Sequence, residues 1–130
     1  MPALSQSLEF TINSSTTVAI TYPNTATDML TYFSDRAKGD GYYGSSDGFH
    51  TVAYTAADTF IGTITMQASL ASEPASNDWF NIAGTTCTYT AFDIRSTSTV
   101  DYYNFTGNFV WVRGKVELAD GTLEVIHYNH

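Results

Sequence analysis

Apolar and polar residues alternate most regularly between positions 60 and 70. Every second residue there is apolar or small, and the residues between them are mainly Thr, Gln and Ser. A period of two is that of a β-strand with one buried face. The pattern therefore predicts a strand at the centre of a sheet.

Shorter segments with the same period predict further strands at residues 8–12, 18–22, 28–33, 49–55, 86–92 and 100–105. Turn-forming Gly, Pro and Asn residues separate these segments about every 8 to 12 residues, which is typical of β-sandwiches. We therefore predict an all-β fold, an antiparallel β-sandwich of the jelly-roll type. It forms a single domain over residues 1–130, in which residues 1–12 are either an edge strand or a strand exchanged between subunits.

The last third of the chain predicts a C-terminal hairpin. Asp120 and Gly121 separate two alternating segments, 107–118 and 122–129, and an Asp-Gly pair favours a two-residue hairpin turn. Pairing outward from this turn places Leu118 opposite Leu123 on an apolar core face. The other face is too apolar for a surface that contacts only solvent. We predict that it contacts a neighbouring subunit through Trp111, Arg113, Ile126 and Tyr128.

Composition agrees with a β fold and restricts the partners. Charged residues are only 14% of the chain, and Thr, Ser and Asn dominate the remaining polar residues, so strand formers outnumber helix formers. The net charge of −8 is opposite to what phosphate groups attract, so neither nucleic acid nor an anionic membrane is a predicted direct partner. The single cysteine, Cys87, excludes an internal disulfide and is predicted as a buried strand residue.

A long surface loop is predicted at residues 36–48, which hold four of the nine glycines. Tyr42 and Tyr43 from this loop, with Trp79 and Phe80 from a short apolar segment, are candidate ligand contacts because aromatic rings stack on sugars. The same residue types also fill protein interfaces and cores, so all three interpretations stay open. The Gly-Asp turns of the loop resemble calcium loops but lack EF-hand ligand spacing, and no metal or other cofactor is predicted.

The sequence contains no pattern of an enzyme active site. It has no nucleophile elbow, no phosphate loop and no histidine pair at metal-ligand spacing. His127 falls on the core face of the predicted hairpin and is predicted as a buried structural histidine. Asp78 and Asp101 are the carboxylates that an acid–base pair would need. We predict that the protein is not an enzyme, with a small hydrolase as the least favoured alternative.

One stretch of sequence resembles a known group of proteins. The segment 60–70, followed by Pro74 and Asp78-Trp79-Phe80, resembles small structural proteins of marine tailed bacteriophages, including those that infect cyanobacteria. The run 103–113 is similar to the same group, so the resemblance covers about residues 60–130. These are framework residues, and they imply no active site.

The resemblance implies a β-rich virion component present in many symmetric copies. We therefore expect a non-enzymatic structural protein of the capsid surface, as a decoration protein, or of the tail or fibre. Its partners would be copies of itself and other virion proteins, and its location the virion, assembled in the host cytoplasm. The alternative is a carbohydrate-binding module that recognises cell-surface glycan through the Gly-rich loop and exposed aromatic residues.

Overall fold

Two antiparallel β-sheets pack face to face in the computed structural model, which describes residues 5–23, 26–43, 48–90 and 96–129. The strands in chain order are β1 (Ser5–Ser7), β2 (Phe10–Ile12), β3 (Ser15–Thr17), β4 (Ile20–Thr21), β5 (Leu30–Phe33), β6 (Ala37–Lys38), β7 (Phe49–Ala56), β8 (Ile61–Ser69), β9 (Phe80–Asn81), β10 (Cys87–Tyr89), β11 (Thr99–Thr106), β12 (Trp111–Asp120) and β13 (Thr122–Asn129). Two short 3-10 turns lie at Asp40–Tyr43 and Ser76–Asp78. No helix among these residues is long and apolar enough to cross a membrane.

The strand order is that of a jelly roll. The first sheet has the order β1-β13-β7-β11, with β4 also paired to β13, and the second has the order β10-β8-β12-β5, with β6 on β12 and β9 on β8. Taken along the chain, β4, β7, β11 and β13 belong to the first sheet, and β5, β8, β10 and β12 to the second. This is the double Greek key of a jelly roll. The predicted all-β sandwich is confirmed, and β8 is the central strand that the alternation predicted.

The predicted C-terminal hairpin is wrong. β12 pairs with β5, β6 and β8, whereas β13 pairs with β1, β4 and β7, so the two strands lie in different sheets. Leu118 lies opposite Gly62 and Leu123 opposite Ala56. Both strands bury apolar side chains as predicted, but they do so from opposite sheets. The Asp-Gly pair at 120–121 is a crossover between the sheets.

A β-bulge in β13 changes which of its side chains enter the core. Two successive residues of β7 lie opposite Leu123 and Val125, so Glu124 is the extra residue. A bulge exchanges the two faces of the strand beyond it. Ile126 and Tyr128 are therefore fully buried and His127 is exposed. The predicted surface position of Ile126 and Tyr128 is wrong, and so is the predicted burial of His127.

His50 is the histidine that lies in the core. Its Nε2 lies 2.7 Å from the carbonyl oxygen of Gly107, and its Nδ1 lies 2.9 Å from the hydroxyl of Tyr128. A carbonyl only accepts, so Nε2 carries the proton, and in the neutral ring Nδ1 accepts from Tyr128. The ring also stacks on Phe105, with centroids 4.8 Å apart. His50 thereby joins the start of β7 to the end of β13 inside the sandwich.

The N-terminal segment forms an edge strand followed by a hairpin. β2 and β3 pair around a two-residue turn at Asn13 and Ser14, both of which have positive φ. β1 (Ser5–Ser7) pairs with β13 of its own chain at the edge of the first sheet, whereas Phe10–Ile12 pairs with β3. Residues 1–4 lie outside the described residues, and exchange of this strand between subunits stays a prediction.

Cys87 is buried in β10, as predicted. Its Sγ lies 3.8 Å from Asp101 Oδ2, and the Tyr89 hydroxyl donates to the same oxygen. β10 and β11 are edge strands of opposite sheets, so these contacts tie one edge of the sandwich together. Residues 91–92 of the predicted strand lie outside the described part of the chain.

Three crossovers between the sheets meet at Gly121. Its φ is +77°, and a Cβ there would overlap the carbonyl oxygen of Thr59 in the β7–β8 connection. The carbonyl of Gly121 accepts the backbone N–H of Tyr22, which follows β4, at 2.8 Å. The N–H of Ala57 donates to the carbonyl of Thr122 at 3.1 Å. The absence of a side chain at Gly121 therefore allows the three crossovers to pack against each other.

We expect Gly121→Ala to lower the free energy of unfolding by about 3 kcal/mol, because it combines a left-handed backbone with a clash against fixed backbone atoms. Gly84→Ala is the matched control, since Gly84 has a φ of +78° and a Cβ added there would meet no heavy atom within 4 Å. The control isolates the backbone cost, about 1 kcal/mol. Urea denaturation of both variants measures the difference, and equal losses would contradict the packing at Gly121.

Candidate functional site

The outer face of the second sheet carries the candidate site. On β12, the buried Val112, Val116 and Leu118 alternate with outward side chains that begin with Trp111 and Arg113. Side chains from the neighbouring segments surround these two. We call the resulting cluster the aromatic–cation face, which consists of Phe33, Arg36, Tyr42, Trp79, Trp111 and Arg113.

Arg113 lies between two aromatic rings. Its Cζ is 4.1 Å from the ring centroid of Phe33 and 4.2 Å from the ring of Trp79. Phe33 belongs to β5 on one side of β12, and Trp79 comes from the segment before β9 on the other side. A guanidinium group is planar and weakly hydrated, so it stacks well on aromatic rings. The guanidinium of Arg113 is thus in contact with a ring from each neighbouring segment.

An amide relay sets the orientation of the guanidinium. Arg113 Nε donates to Gln67 Oε1 at 2.9 Å, and Gln67 Nε2 donates to Asn81 Oδ1 at 2.9 Å. Gln67 is only 8% exposed, so its amide is held by its surroundings. Partial burial lowers the pKa of Arg113, although a guanidinium stays charged at neutral pH.

Trp111 forms the second centre of the face. Arg36 Cζ lies 4.1 Å from the Trp111 ring, and the Tyr42 ring packs against it at a centroid distance of 5.1 Å and an angle of 56°. The indole Nε1 donates to the carbonyl of Ser72 at 3.0 Å. Trp111 is therefore anchored at its polar edge, while Arg36 and Tyr42 complete the surface around it.

The Gly-rich loop brings Tyr42 to this position by close backbone contact. The N–H groups of Gly39 and Gly41 donate to the carbonyls of Val110 and Phe109 at 2.9 and 2.8 Å. A side chain at Gly41 would overlap the carbonyl oxygen of Asn108. The glycines of this part of the loop thus let two backbone segments approach each other beside β12.

The carboxylate of Asp40 stabilises the same loop. Asp40 is buried and accepts the backbone N–H of Gly48 at 2.8 Å. Within the described residues, no group of three or more His, Cys, Asp or Glu side chains is placed to hold a metal ion. The second calcium-like turn includes residues 46 and 47, which lie outside the described residues.

Positive charge is concentrated on this side of an acidic protein. The chain has five basic residues and a net charge of −8. Four of the five lie on or beside the aromatic–cation face: Arg36, Lys38, Arg113 and Lys115. The fifth, Arg95, lies outside the described residues. Two of these cations are paired with carboxylates, Arg36 with Glu73 and Lys115 with Glu117.

Residues that the sequence analysis assigns to two different surfaces lie on one face in the structure. Trp111 and Arg113 were predicted as a subunit interface, and Tyr42 and Trp79 as ligand contacts, but all four lie on one face. Phe80 points to the opposite side of β9 and packs edge to face on Phe109, with centroids 5.8 Å apart. The side chain of Tyr43 lies outside the described residues.

Sequence reasoning missed three contributors, Phe33, Arg36 and Gln67. Gln67 lies directly opposite Arg113 in the pairing of β8 with β12. Both strands were predicted, so their pairing would have revealed this contact. Arg36 and Phe33 offered no local signal, since each depends on the path of the chain between β5 and β6.

No family model matches this sequence, and no curated protein matches it. Among solved structures, the chain is similar to the K1 cleaved adhesin domain of Lys-gingipain from Porphyromonas gingivalis W83, at 12% identity and a TM-score of 0.50, over 99% of this chain and 92% of that one. It is also similar to a family 29 carbohydrate-binding module from Piromyces equi, at 10% identity and a TM-score of 0.43, over 99% and 83% of the two chains. The first likeness supports the β-sandwich fold alone. The resemblance to phage structural proteins stays a prediction.

We expect Arg113→Ala to lower the free energy of unfolding by about 1 to 2 kcal/mol, because two ring contacts and the bond to Gln67 are lost. Lys115→Ala is the control on the same strand and face, where the cation lies 3.7 Å from Glu117. This half-buried ion pair at the surface contributes less than about 1 kcal/mol. Equal urea midpoints for the two variants would show that Arg113 is not held between its rings.

Proposed function

We propose that the protein is a non-catalytic carbohydrate-binding module that recognises surface glycan through the aromatic–cation face. One observation carries this proposal, namely that partly exposed rings and an oriented guanidinium share one side of a β-sheet. Phe33 is 44% exposed and Tyr42 is 46% exposed. Trp79 and Trp111 are half-buried beside them. The rings are held in place yet remain accessible from solvent.

This combination suits a sugar. The C–H groups of a pyranose ring pack against an aromatic ring, while its hydroxyls need hydrogen-bonding groups at the ring edges. The Arg113 edge and the side chain of Asn81 lie beside Trp79. A sheet surface also has no deep walls, so it can accept a segment within a longer chain of sugars. These features favour binding of a polymer over enclosure of a small molecule.

The carboxylates considered for catalysis support a non-catalytic role. Asp78 accepts the N–H of Ala75 at 2.7 Å, whereas Asp101 accepts the hydroxyl of Tyr89. Each has its own structural partner, and neither belongs to the aromatic–cation face. The jelly-roll fold hosts lectins and capsid proteins alike, so the proposal depends on the face and not on the fold.

We expect Trp79→Ala and Trp111→Ala each to weaken glycan binding about tenfold, since a stacked ring contributes on the order of 1 kcal/mol or more. A glycan array identifies the ligand, and titration of intrinsic fluorescence measures it, because Trp79 and Trp111 are the only tryptophans of the chain. Tyr102→Ala is the control, as this ring is 68% exposed on the outer side of the first sheet. A blank array for the wild type would refute the proposal, as would an equal loss with Tyr102→Ala.

The second candidate is a virion structural subunit that assembles with copies of itself. The observation that favours it is a separate apolar area on the outer side of the first sheet, where Phe49, Val100 and Tyr102 are each more than 60% exposed. Apolar and aromatic groups of this kind are common at the centre of protein interfaces. This area lies on the sheet opposite the aromatic–cation face, so the two functions are compatible in one subunit.

For this second candidate we expect light scattering to detect an oligomer at micromolar concentration, and Tyr102→Glu to dissociate it by burying an unpaired charge. Thr88→Glu is the control, since it adds the same charge to an exposed position on the opposite sheet, away from Phe49, Val100 and Tyr102. A wild-type protein that remains monomeric at high concentration would argue against self-assembly through this area.

A further inference from the structure

We infer that the glycan is anionic and that the guanidinium edge of Arg113 binds its carboxylate or sulfate groups. The inference rests on the proposed function and names the class of glycan. Three features of the aromatic–cation face support it: the terminal N–H donors of Arg113, the positions of the other cations, and the aromatic rings beside Arg113.

The terminal amino groups of Arg113 have no hydrogen-bond acceptor among the described residues. A guanidinium offers five N–H groups, of which Nε–H is used by Gln67. The described residues provide no hydrogen-bond acceptor for the two terminal amino groups and no carboxylate within ion-pair distance of them. The Cζ atom lies over the rings of Phe33 and Trp79 at 4.1 and 4.2 Å. What remains is a two-pronged edge, whose geometry matches a planar carboxylate or two oxygens of a sulfate.

The neighbouring cations differ from Arg113 in this respect. Arg36 lies 3.6 Å from Glu73, and Lys115 lies 3.7 Å from Glu117. Arg113 is partly buried and lacks such a counter-ion among the described residues. Removing a charge from water without an opposite charge is costly. An oxyanion bound at this edge would offset that cost, so the site is most complementary to a ligand that brings one.

The arrangement of charge suits a polymer with repeated negative groups. Lys38 lies opposite Trp111, and Lys115 is two residues beyond Arg113 on the same face. Cations therefore follow the direction of β12 on both sides of the Arg113 edge. Glu73 and Glu117 pair with Arg36 and Lys115, so attraction of a polyanion to this face depends mainly on Arg113 and Lys38. The rings between the cations favour sugar residues over a simple inorganic anion.

The test compares three polysaccharides by tryptophan fluorescence and calorimetry: polygalacturonate carries carboxylates, dextran sulfate carries sulfates, and dextran is neutral. We expect the wild type to bind at least one of the charged polymers about tenfold more tightly than dextran, as hydrogen bonds to charged groups predict. The first two polymers distinguish carboxylate from sulfate. Tighter binding of oligothymidylate than of either charged polysaccharide would overturn the inference in favour of a single-stranded nucleic acid.

Gln67→Glu is the decisive variant, because it places an internal carboxylate at the position that accepts from Arg113 Nε. This carboxylate competes with the ligand while Arg113 and both rings remain. We expect it to reduce binding of the charged polymer about tenfold. Thr88→Glu is the matched control, since it adds one negative charge to the same sheet face, where Thr88 contacts Thr63 and not Arg113. An equal reduction by both variants would show a nonspecific charge effect and overturn the role of Arg113.

Arg113→Lys provides a second variant should Gln67→Glu fold poorly. It keeps the charge but removes the two-donor edge, so the affinity for charged polymers should fall by a larger factor than the affinity for dextran. Circular dichroism and urea midpoints verify that each variant is folded. If dextran binds as well as the charged polymers, the proposed glycan function holds and the present inference fails. If no polysaccharide binds at all, both fail.

Discussion

The pairing of β8 with β12 is the interaction on which both the fold and the candidate site depend. The ladder runs from Trp111 opposite Ser69 to Asp120 opposite Ile61, and β12 receives β5 and β6 on its other side. Because side chains alternate across a strand, this register determines at once which side chains fill the core and which form the outer surface. It places Arg113 beside Gln67 and thereby orients the charged group at the centre of the aromatic–cation face.

The fold class could be predicted because the strands carry a strong period of two and the turns are regularly spaced. The order of strands was harder to predict, and the last two strands show why. An Asp-Gly pair supplies the positive φ that a hairpin needs, but a crossover between sheets needs the same conformation, as Gly121 demonstrates. In a jelly roll the final two strands belong to different sheets, so the sequence-based hairpin was inconsistent with the sequence-based fold class. The bulge at Glu124 then exchanged the faces of β13, which no local pattern indicated.

The candidate site was predictable in its residue types and not in its assembly. Exposed aromatic residues and Arg113 were singled out from the sequence, but they belong to distant segments whose approach depends on tertiary contacts. Tyr42 reaches Trp111 because the backbone of the Gly-rich loop hydrogen-bonds with the segment before β12. The clustering of four cations on one side of an acidic chain likewise becomes visible only after the strands are placed side by side. The likeness to a solved structure at 12% identity shows the fold alone, so the proposed function rests on the aromatic–cation face.

The two ends of the sandwich have different tolerance to change. Near Gly121 three crossovers press against each other, and an added side chain or residue there would disturb several connections at once. At the other end of β12, the Asp40–Tyr43 turn and the segments before β9 and β12 surround the aromatic–cation face. These segments are separate from the three crossovers at Gly121. Insertions and substitutions in these segments can therefore alter the aromatic–cation face while the topology is maintained from the far end. One end of the sandwich can therefore change in sequence while the other end preserves the fold.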